Sequence, residues 1–212
     1  MQKLARVFIC SLMFSTVASV VSAAPILYNI DYAFSGSGTG SVQAEFTEVG
    51  DGLVQLRMTS TDLSGGYASG WYFNLDTNLD ASDLDINYVS GIEADAVGQG
   101  TNDFKADGDG FFDLLFSFST ADHDLAPGEW SVYTLALDGL TADAFNFVSV
   151  NGPVGKNGFY AAAKISGGGG IQAWVADADG PAPPPVPEPA SLLLLGAGAL
   201  PLIRKRMRRT GK

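Results

Sequence analysis

The stretch FFDLLFSF, residues 111–118, decides the fold class of this 212-residue chain. Large apolar residues recur at every second position from Phe112 to Phe118, with Asp113 and Ser117 among the residues between them. Successive side chains of a β-strand point to opposite faces of a sheet, so this pattern predicts a strand with one buried face. Each buried phenylalanine ring would remove roughly 150–250 Å² from water, which is a large contribution to a core.

The same alternation recurs on both sides of this stretch. About ten runs show it, at residues 26–34, 42–46, 54–58, 71–75, 84–88, 112–118, 130–137, 145–150, 159–165 and 171–175. Segments rich in Gly, Asn, Asp and Pro separate the runs, and such residues supply the backbone angles that tight turns require. No run keeps a helical period. The pattern predicts an all-β body, residues 24–178, folded as an antiparallel β-sandwich or jelly roll of about ten strands.

The first 23 residues have the features of a secretory signal peptide. Lys3 and Arg6 precede an apolar run, residues 7–21, and small residues follow as far as Ala23. Cleavage after Ala23 would make Ala24 the first mature residue, whereas cleavage one position later would leave a proline first. We therefore predict a signal peptide over residues 1–23 and export through the Sec machinery.

Cysteine usage and charge limit the chemistry of the exported part. The single cysteine, Cys10, lies within the predicted signal peptide, so disulfides and cysteine zinc sites are not expected in the mature protein. Residues 24–187 contain four of the 12 Lys and Arg residues and 22 of the 23 Asp and Glu residues, which gives a net charge near −18. Such a surface repels phosphate backbones, so we expect no nucleic-acid partner. Divalent cations and neutral polymers suit it better.

The C-terminal region has three consecutive parts. A proline-rich linker covers residues 179–189, an uncharged run covers residues 190–203, and a basic tail covers residues 204–212. As a helix, the 14-residue run would rise roughly 21 Å, against roughly 30 Å of bilayer hydrocarbon. Basic residues stop passage and stay cytoplasmic, so we predict a short transmembrane helix followed by a stop-transfer signal, Arg204-Lys205-Arg206. A core helix of the body is the alternative, and the proline-rich linker argues against it.

The motif Val186-Pro187-Glu188-Pro189, followed by the apolar run and the basic tail, resembles the PEP-CTERM sorting signal. That resemblance implies recognition by an exosortase, a membrane-embedded cysteine transpeptidase, with cleavage near the motif. It also implies a transient anchor in the inner membrane, then delivery to the cell surface or the extracellular polysaccharide matrix. Phrases of the body resemble an all-β exported domain without an assigned biochemical role, which some proteins with this tag carry. They are FNLDTNLDASDLDI, residues 73–86, FKADGDGFFDLLFSF, residues 104–118, and LTADAFNF, residues 140–147.

Two acidic loops are candidate calcium sites. Asp76, Asn78 and Asp80 match the first three ligand positions of an EF-hand loop, but the required glycine and final glutamate are absent. Asp107 and Asp109 form a second acidic loop. It departs from the EF-hand motif already at the third ligand position, where Phe111 stands. Oxygen ligands in irregular loops can also bind calcium, while an Asp-Gly hairpin turn requires no ion. Calcium is therefore the one cofactor that the sequence suggests.

The function hypotheses follow from these observations. We expect a non-enzymatic exported protein of the surface or extracellular matrix. The main alternative is a calcium-assisted carbohydrate-binding module, since exposed aromatic rings can contact sugars, with the candidates Trp71, Tyr72, Trp130, Tyr160 and Trp174. Tyr72 and Trp174 are out of phase with their neighbours, so we expect these two to complete an opposite apolar face. A weaker alternative is a hydrolase centred on His123, the single histidine. No nucleophile elbow accompanies it, so a solvated loop histidine is the expected role.

Overall fold

The computed structural model describes residues 23–63, 65–107, 110–118, 123–150, 158–167 and 172–180. The predicted signal peptide up to residue 22 lies outside these ranges, as do most of the linker, the apolar run and the basic tail. Within the described ranges, no helix is long and apolar enough to cross a membrane. The signal peptide, the transmembrane helix and the domain boundaries therefore remain predictions.

The all-β prediction is confirmed. The described chain forms eleven strands, which are β1 Ile26–Ile30, β2 Tyr32–Ser37, β3 Ser41–Gly50, β4 Leu53–Asp62, β5 Gly66–Phe73, β6 Asp85–Gly91, β7 Ala96–Lys105, β8 Phe111–Ser117, β9 Trp130–Ala136, β10 Ala161–Gly167 and β11 Gln172–Asp177. A five-stranded sheet has the order β1-β3-β4-β9-β6, and a six-stranded sheet has the order β2-β11-β10-β5-β8-β7. Every strand pairing is antiparallel.

The two sheets bury their facing sides against one another. Phe46 of the five-stranded sheet stacks on Phe145 with ring centroids 4.2 Å apart, and it meets Phe73 of the six-stranded sheet edge to face at 5.2 Å. Tyr28 is also fully buried and its hydroxyl donates a hydrogen bond of 2.7 Å to the Phe145 carbonyl. Aromatic contacts across the interface therefore join the two sheets into a sandwich-like body.

The six-stranded sheet also carries apolar residues on its outer face. We call this group the second cluster. Its buried members are Tyr72, Ala106, Phe112, Phe159, Ala162 and Ala176, and Phe34, Phe104, Leu115 and Trp174 pack against them partly buried. The out-of-phase positions of Tyr72 and Trp174 predict an apolar opposite face, and the structure confirms it, with the two rings 5.5 Å apart.

The regular alternation of residues 112–118 stops at Asp113. Leu114, Phe116 and Phe118 belong to the main core, but Phe112 belongs to the second cluster. Along the partner strand β7, Gln99 pairs with Leu114 and Phe104 with Phe112, so the four residues between them bulge out opposite Asp113. The bulge changes the face to which Phe112 points, which the period-two pattern alone did not predict.

Two further differences concern strand positions. Residues 145–150, predicted as a strand, instead follow a short 3₁₀ helix, Ala142–Phe145, and make only an isolated bridge from Val150 to Phe111. Strand β7 was not among the predicted runs, because its side chains are mostly exposed or small and show little apolar alternation. The second 3₁₀ helix, Ala81–Asp83, begins after Asp80.

Candidate functional site

A pocket of about 240 Å³ opens where β5 ends and the chain turns toward the Ala81–Asp83 helix. Its apolar wall consists of Leu75, Leu79, Ala81, Phe147, Val148 and Val150. Its polar groups belong to Asn74, Asp76, Thr77, Thr101, Asn102 and Asp113. An apolar wall with a few polar groups at one side is the usual construction of a small-molecule site.

Asp113 holds one side of this pocket in place. Its carboxylate accepts a hydrogen bond of 2.8 Å from the Leu75 backbone N–H and one of 2.7 Å from the Asn102 backbone N–H. Asn102 lies in the β7 bulge with φ 57°, a conformation that Asn tolerates better than most residues. The buried carboxylate thus ties the end of β5 to the bulge. The sequence signal for this role is that Asp113 is an acidic residue within the otherwise apolar run of residues 111–118.

The Asp76 loop is held by hydrogen bonds within the loop. Asp76 Oδ1 accepts from the backbone N–H of Asn78 at 2.9 Å and from its side-chain amide at 2.8 Å. Asp80 accepts from the Ser82 hydroxyl at 2.6 Å and from the Ser82 backbone N–H at 3.0 Å, and these bonds lower the pKa of Asp80. The loop therefore consists of two consecutive Asx turns, each formed by protein groups alone.

The predicted calcium ligands come from separate parts of the fold. Asp76 reaches the pocket rim and Asp80 caps the 3₁₀ helix, whereas Asp107 lies in the β7–β8 hairpin turn with φ 45°. Asp109 lies outside the described residues. No group of three or more acidic, histidine or cysteine residues is placed to hold a metal within the described part of the chain. Calcium binding remains a prediction.

His123 lies in an exposed loop, where its Nδ1 contacts Asp95 Oδ1 at 2.7 Å. The histidine side chain is 44% exposed and the aspartate side chain 19%. The contact is an ion pair only when the imidazole is protonated. This partner lies 28 residues earlier in the chain.

Asp177 is the other buried carboxylate of the described residues, and it lies where the body meets the linker. It accepts hydrogen bonds from the backbone N–H groups of Asn29 at 2.9 Å and Gly180 at 2.7 Å. Burial raises the pKa of Asp177 from 3.8 to about 6, although these hydrogen bonds act in the opposite direction. At the other end, Ala23 and Ala24, the predicted cleavage residues, are exposed ahead of β1.

Residues 185–209 match the family model for the PEP-CTERM protein-sorting motif. No curated protein and no solved structure matches the chain. The matched segment includes Val186-Pro187-Glu188-Pro189 and Arg204-Lys205-Arg206, and it lies outside the described residues. The described residues end at Gly180, so the match and the described all-β fold occupy separate parts of the sequence. The chain carries a PEP-CTERM sorting motif, which implies export, anchoring in a membrane before cleavage, and processing by an exosortase.

Proposed function

We propose that the chain supplies a non-enzymatic β-sandwich domain to the cell surface or the extracellular polysaccharide matrix. In this proposal the signal peptide, residues 1–23, directs export and the apolar run, residues 190–203, holds the protein briefly in the inner membrane. The exosortase then cleaves near Pro187-Glu188-Pro189 and frees the body. The match to the sorting motif carries the proposal, because a detachable tag next to an all-β domain indicates that the domain is the delivered product.

The composition of the body supports this role. A net charge near −18 over residues 24–187 favours solubility outside the cell. The absence of cysteine from the same residues makes its stability independent of disulfide formation, and a core that joins two sheets through aromatic rings supplies that stability instead. These properties suit a domain that must persist after release.

Mass spectrometry of the protein recovered from culture tests the proposal at both ends. We expect a mature N-terminus at Ala24 and a C-terminus near Pro189. Replacing Pro187, Glu188 and Pro189 by alanine should leave the tag uncleaved, whereas Pro181→Ala with Pro183→Ala should be processed normally. Exported protein that still ends at Lys212 would contradict the proposal.

A second test concerns where the body goes and whether it catalyses a reaction. Fractionation after processing should place it with the surface or the matrix. Recovery of all processed protein as free monomer in the medium would refute the matrix role. The hydrolase alternative requires that His123→Ala abolish a hydrolytic activity of the exported protein. Such a result would replace the non-enzymatic proposal.

One observation favours the alternative of calcium-assisted carbohydrate binding. Asp76, from the loop with partial EF-hand spacing, lies on the rim of the 240 Å³ pocket, so an ion held there would adjoin a cavity for a small polar ligand. Binding to the native state must stabilise it, so thermal unfolding of the exported protein with calcium and then with chelator tests this. Asp76→Asn should remove any calcium shift, and Asp107→Asn in the hairpin should leave it. An unchanged melting temperature would exclude this alternative.

A further inference from the structure

The outer face of the five-stranded sheet carries many amide and hydroxyl side chains, together with the apolar residues Leu27, Leu53, Val132 and Ala136. Alternation along residues 41–46 of β3 and 53–60 of β4 places every second side chain on this face, and the pairing of the strands sets them in rows. We call it the amide face. Its polar members include Asn29, Gln43, Gln55, Thr59, Asn87 and Thr134.

The amide face carries few charges for so acidic a protein, although Asp85 of β6 adds a negative charge at its edge. Glu45 and Arg57 occupy its middle row as directly paired cross-strand neighbours, so their opposite charges cancel at a distance. Arg57 is one of only four basic residues between positions 24 and 187. A patch with few charges, and those negative where they are unpaired, gives an anionic polymer little attraction, and it costs a neutral polymer little desolvation of charge.

Many hydrogen-bonding groups of this face are available to a ligand. Gln43 donates to the Asn29 side chain at 2.9 Å, which orients that pair. The side chains of Gln55, Thr59 and Thr134 form no hydrogen bond with any other residue in the described part of the chain. From Gln55 to Thr59 the face extends about 13 Å along the strands, and across five strands about 19 Å, so several sugar units could lie on it.

Trp130 supplies an apolar surface at one end of the amide face. It pairs with Thr59 and is 41% exposed, which is unusual for so large an apolar side chain. The Arg57 guanidinium lies 5.2 Å from the ring centroid, and Gly91 adjoins the indole on the next strand. A Cβ at Gly91 would lie 2.2 Å from the Trp130 carbonyl oxygen and 3.0 Å from its Cδ1, so glycine allows the two strands to approach closely at this residue.

We propose that the amide face binds a neutral polysaccharide chain, with Trp130 packing against a sugar ring and Gln55, Thr59 and Thr134 bonding to its hydroxyls. Sugars combine C–H faces that contact aromatic rings with hydroxyls that pair with amides, and the amide face presents both kinds of group. This inference rests on the proposed matrix function and names the partner class for it. The site is separate from the pocket at Asp76 and requires no metal.

Native gel electrophoresis in the presence of soluble polymers tests the inference with the processed protein recovered from culture. An acidic protein of this kind migrates well at neutral pH, and binding to an immobile polymer slows it. The probes are dextran, soluble starch, xyloglucan and hydroxyethyl cellulose, with alginate as the anionic control. We expect at least one neutral probe to retard the protein and alginate to leave its migration unchanged.

Variants assign the retardation to the amide face. Trp130→Ala should weaken the affinity about tenfold or more, as expected for a central aromatic contact. Gln55→Ala should weaken it about fivefold, the value of one hydrogen bond. Trp174→Ala, on the outer face of the other sheet, is the matched control and should bind as the wild type does. Thermal unfolding of each variant checks that the fold is intact.

Several results would overturn the inference. The first is that no neutral probe retards the protein, and the second is that alginate retards it equally. The third is that Trp130→Ala and Gln55→Ala are both retarded as strongly as the wild type. The proposed function fails separately, since an uncleaved C-terminus would contradict processing whether or not the protein binds these polymers. Conversely, a processed, surface-located wild type that a neutral probe retards, beside a processed Trp130→Ala protein that the probe does not retard, would support both.

Discussion

The outer faces of the two sheets differ in what they leave exposed to water. On the five-stranded sheet, buried positions alternate with partly exposed ones along residues 41–46 of β3 and 53–60 of β4, and the amide face is mostly polar. On the six-stranded sheet, the last four residues of β5 are all buried, and the second cluster packs rings over the outer side. The five-stranded sheet therefore buries one of its faces, and the six-stranded sheet buries both. The first has a surface available for ligands, and the second uses both surfaces for stability.

Small residues explain how the six-stranded sheet accommodates a second apolar layer. Ala162 and Ala176 are directly paired neighbours of the central strands β10 and β11, and both are fully buried in the second cluster. Their short side chains leave a shallow depression that larger rings fill. Phe34 and Phe159 meet there with centroids 5.1 Å apart, and Tyr72 and Phe112 at 5.8 Å. Such ring pairs each contribute about 0.5–1.5 kcal/mol beyond area burial.

The largest effect should come from removing a ring of the second cluster. Phe112 is fully buried, so Phe112→Ala should lower the free energy of unfolding by about 3–5 kcal/mol. Gln55→Ala, on the amide face, should change it by no more than about 0.5 kcal/mol. Urea unfolding of both variants measures the contrast. Equal losses would show that the two outer faces do not differ as described.

The buried carboxylates sharpen the same comparison, since within the described residues both of them, Asp113 and Asp177, belong to the six-stranded sheet. The pKa of Asp177 is raised from 3.8 to about 6 by burial, so the folded state binds its proton more tightly than the unfolded state. Its contribution to stability is complete below pH 3.8 and is lost as the pH rises to about 6. The loss amounts to about 3 kcal/mol.

Unfolding measured at pH 4 and at pH 7 tests this prediction by difference. The free energy of unfolding of the wild type minus that of Asp177→Asn should fall by about 2 kcal/mol between the two values, because part of the loss has already occurred at pH 4. A difference that stays constant with pH would mean that Asp177 titrates normally. The loss of one acceptor in Asp177→Asn is the same at both pH values and cancels.

Sequence reasoning was most successful where one period governs a whole strand. The alternation of Val42, Ala44 and Phe46, all fully buried, predicts their common face without knowledge of the partner strand. It was least successful at Phe112, because its face depends on a bulge in β7, a strand that the pattern did not show. The pocket was beyond prediction for a similar reason. It brings Asp76 and Asp113 together through pairings between distant segments, and a period within one segment does not encode those pairings.

Asp113 provides a smaller test of that bulge. Asp113→Asn keeps the size of the side chain but replaces one of the two acceptors that serve Leu75 and Asn102, which leaves a buried N–H without a partner. We expect a loss of about 2 kcal/mol in the free energy of unfolding. Hydrogen exchange should show faster opening of residues 100–103, the bulge, than of β3. The exposed acid of the same bulge, Asp103, offers the control Asp103→Asn, with no expected effect. A stable Asp113→Asn protein with unchanged exchange would contradict the tethering role.

The smallest effect compares one tryptophan from each outer face. Each ring has a cation over it, Lys164 at 5.8 Å from the Trp174 centroid and Arg57 at 5.2 Å from the Trp130 centroid, so that contribution is matched. Trp174 also meets Phe34 and Tyr72, whereas Trp130 is 41% exposed. We therefore expect Trp174→Ala to cost about 1–2 kcal/mol in urea unfolding and Trp130→Ala about 0.5 kcal/mol. A larger loss for Trp130→Ala than for Trp174→Ala would show that Trp130, on the five-stranded sheet, is the ring that stabilises the fold. The expected order instead leaves Trp130 with little role in stability and therefore available to a ligand.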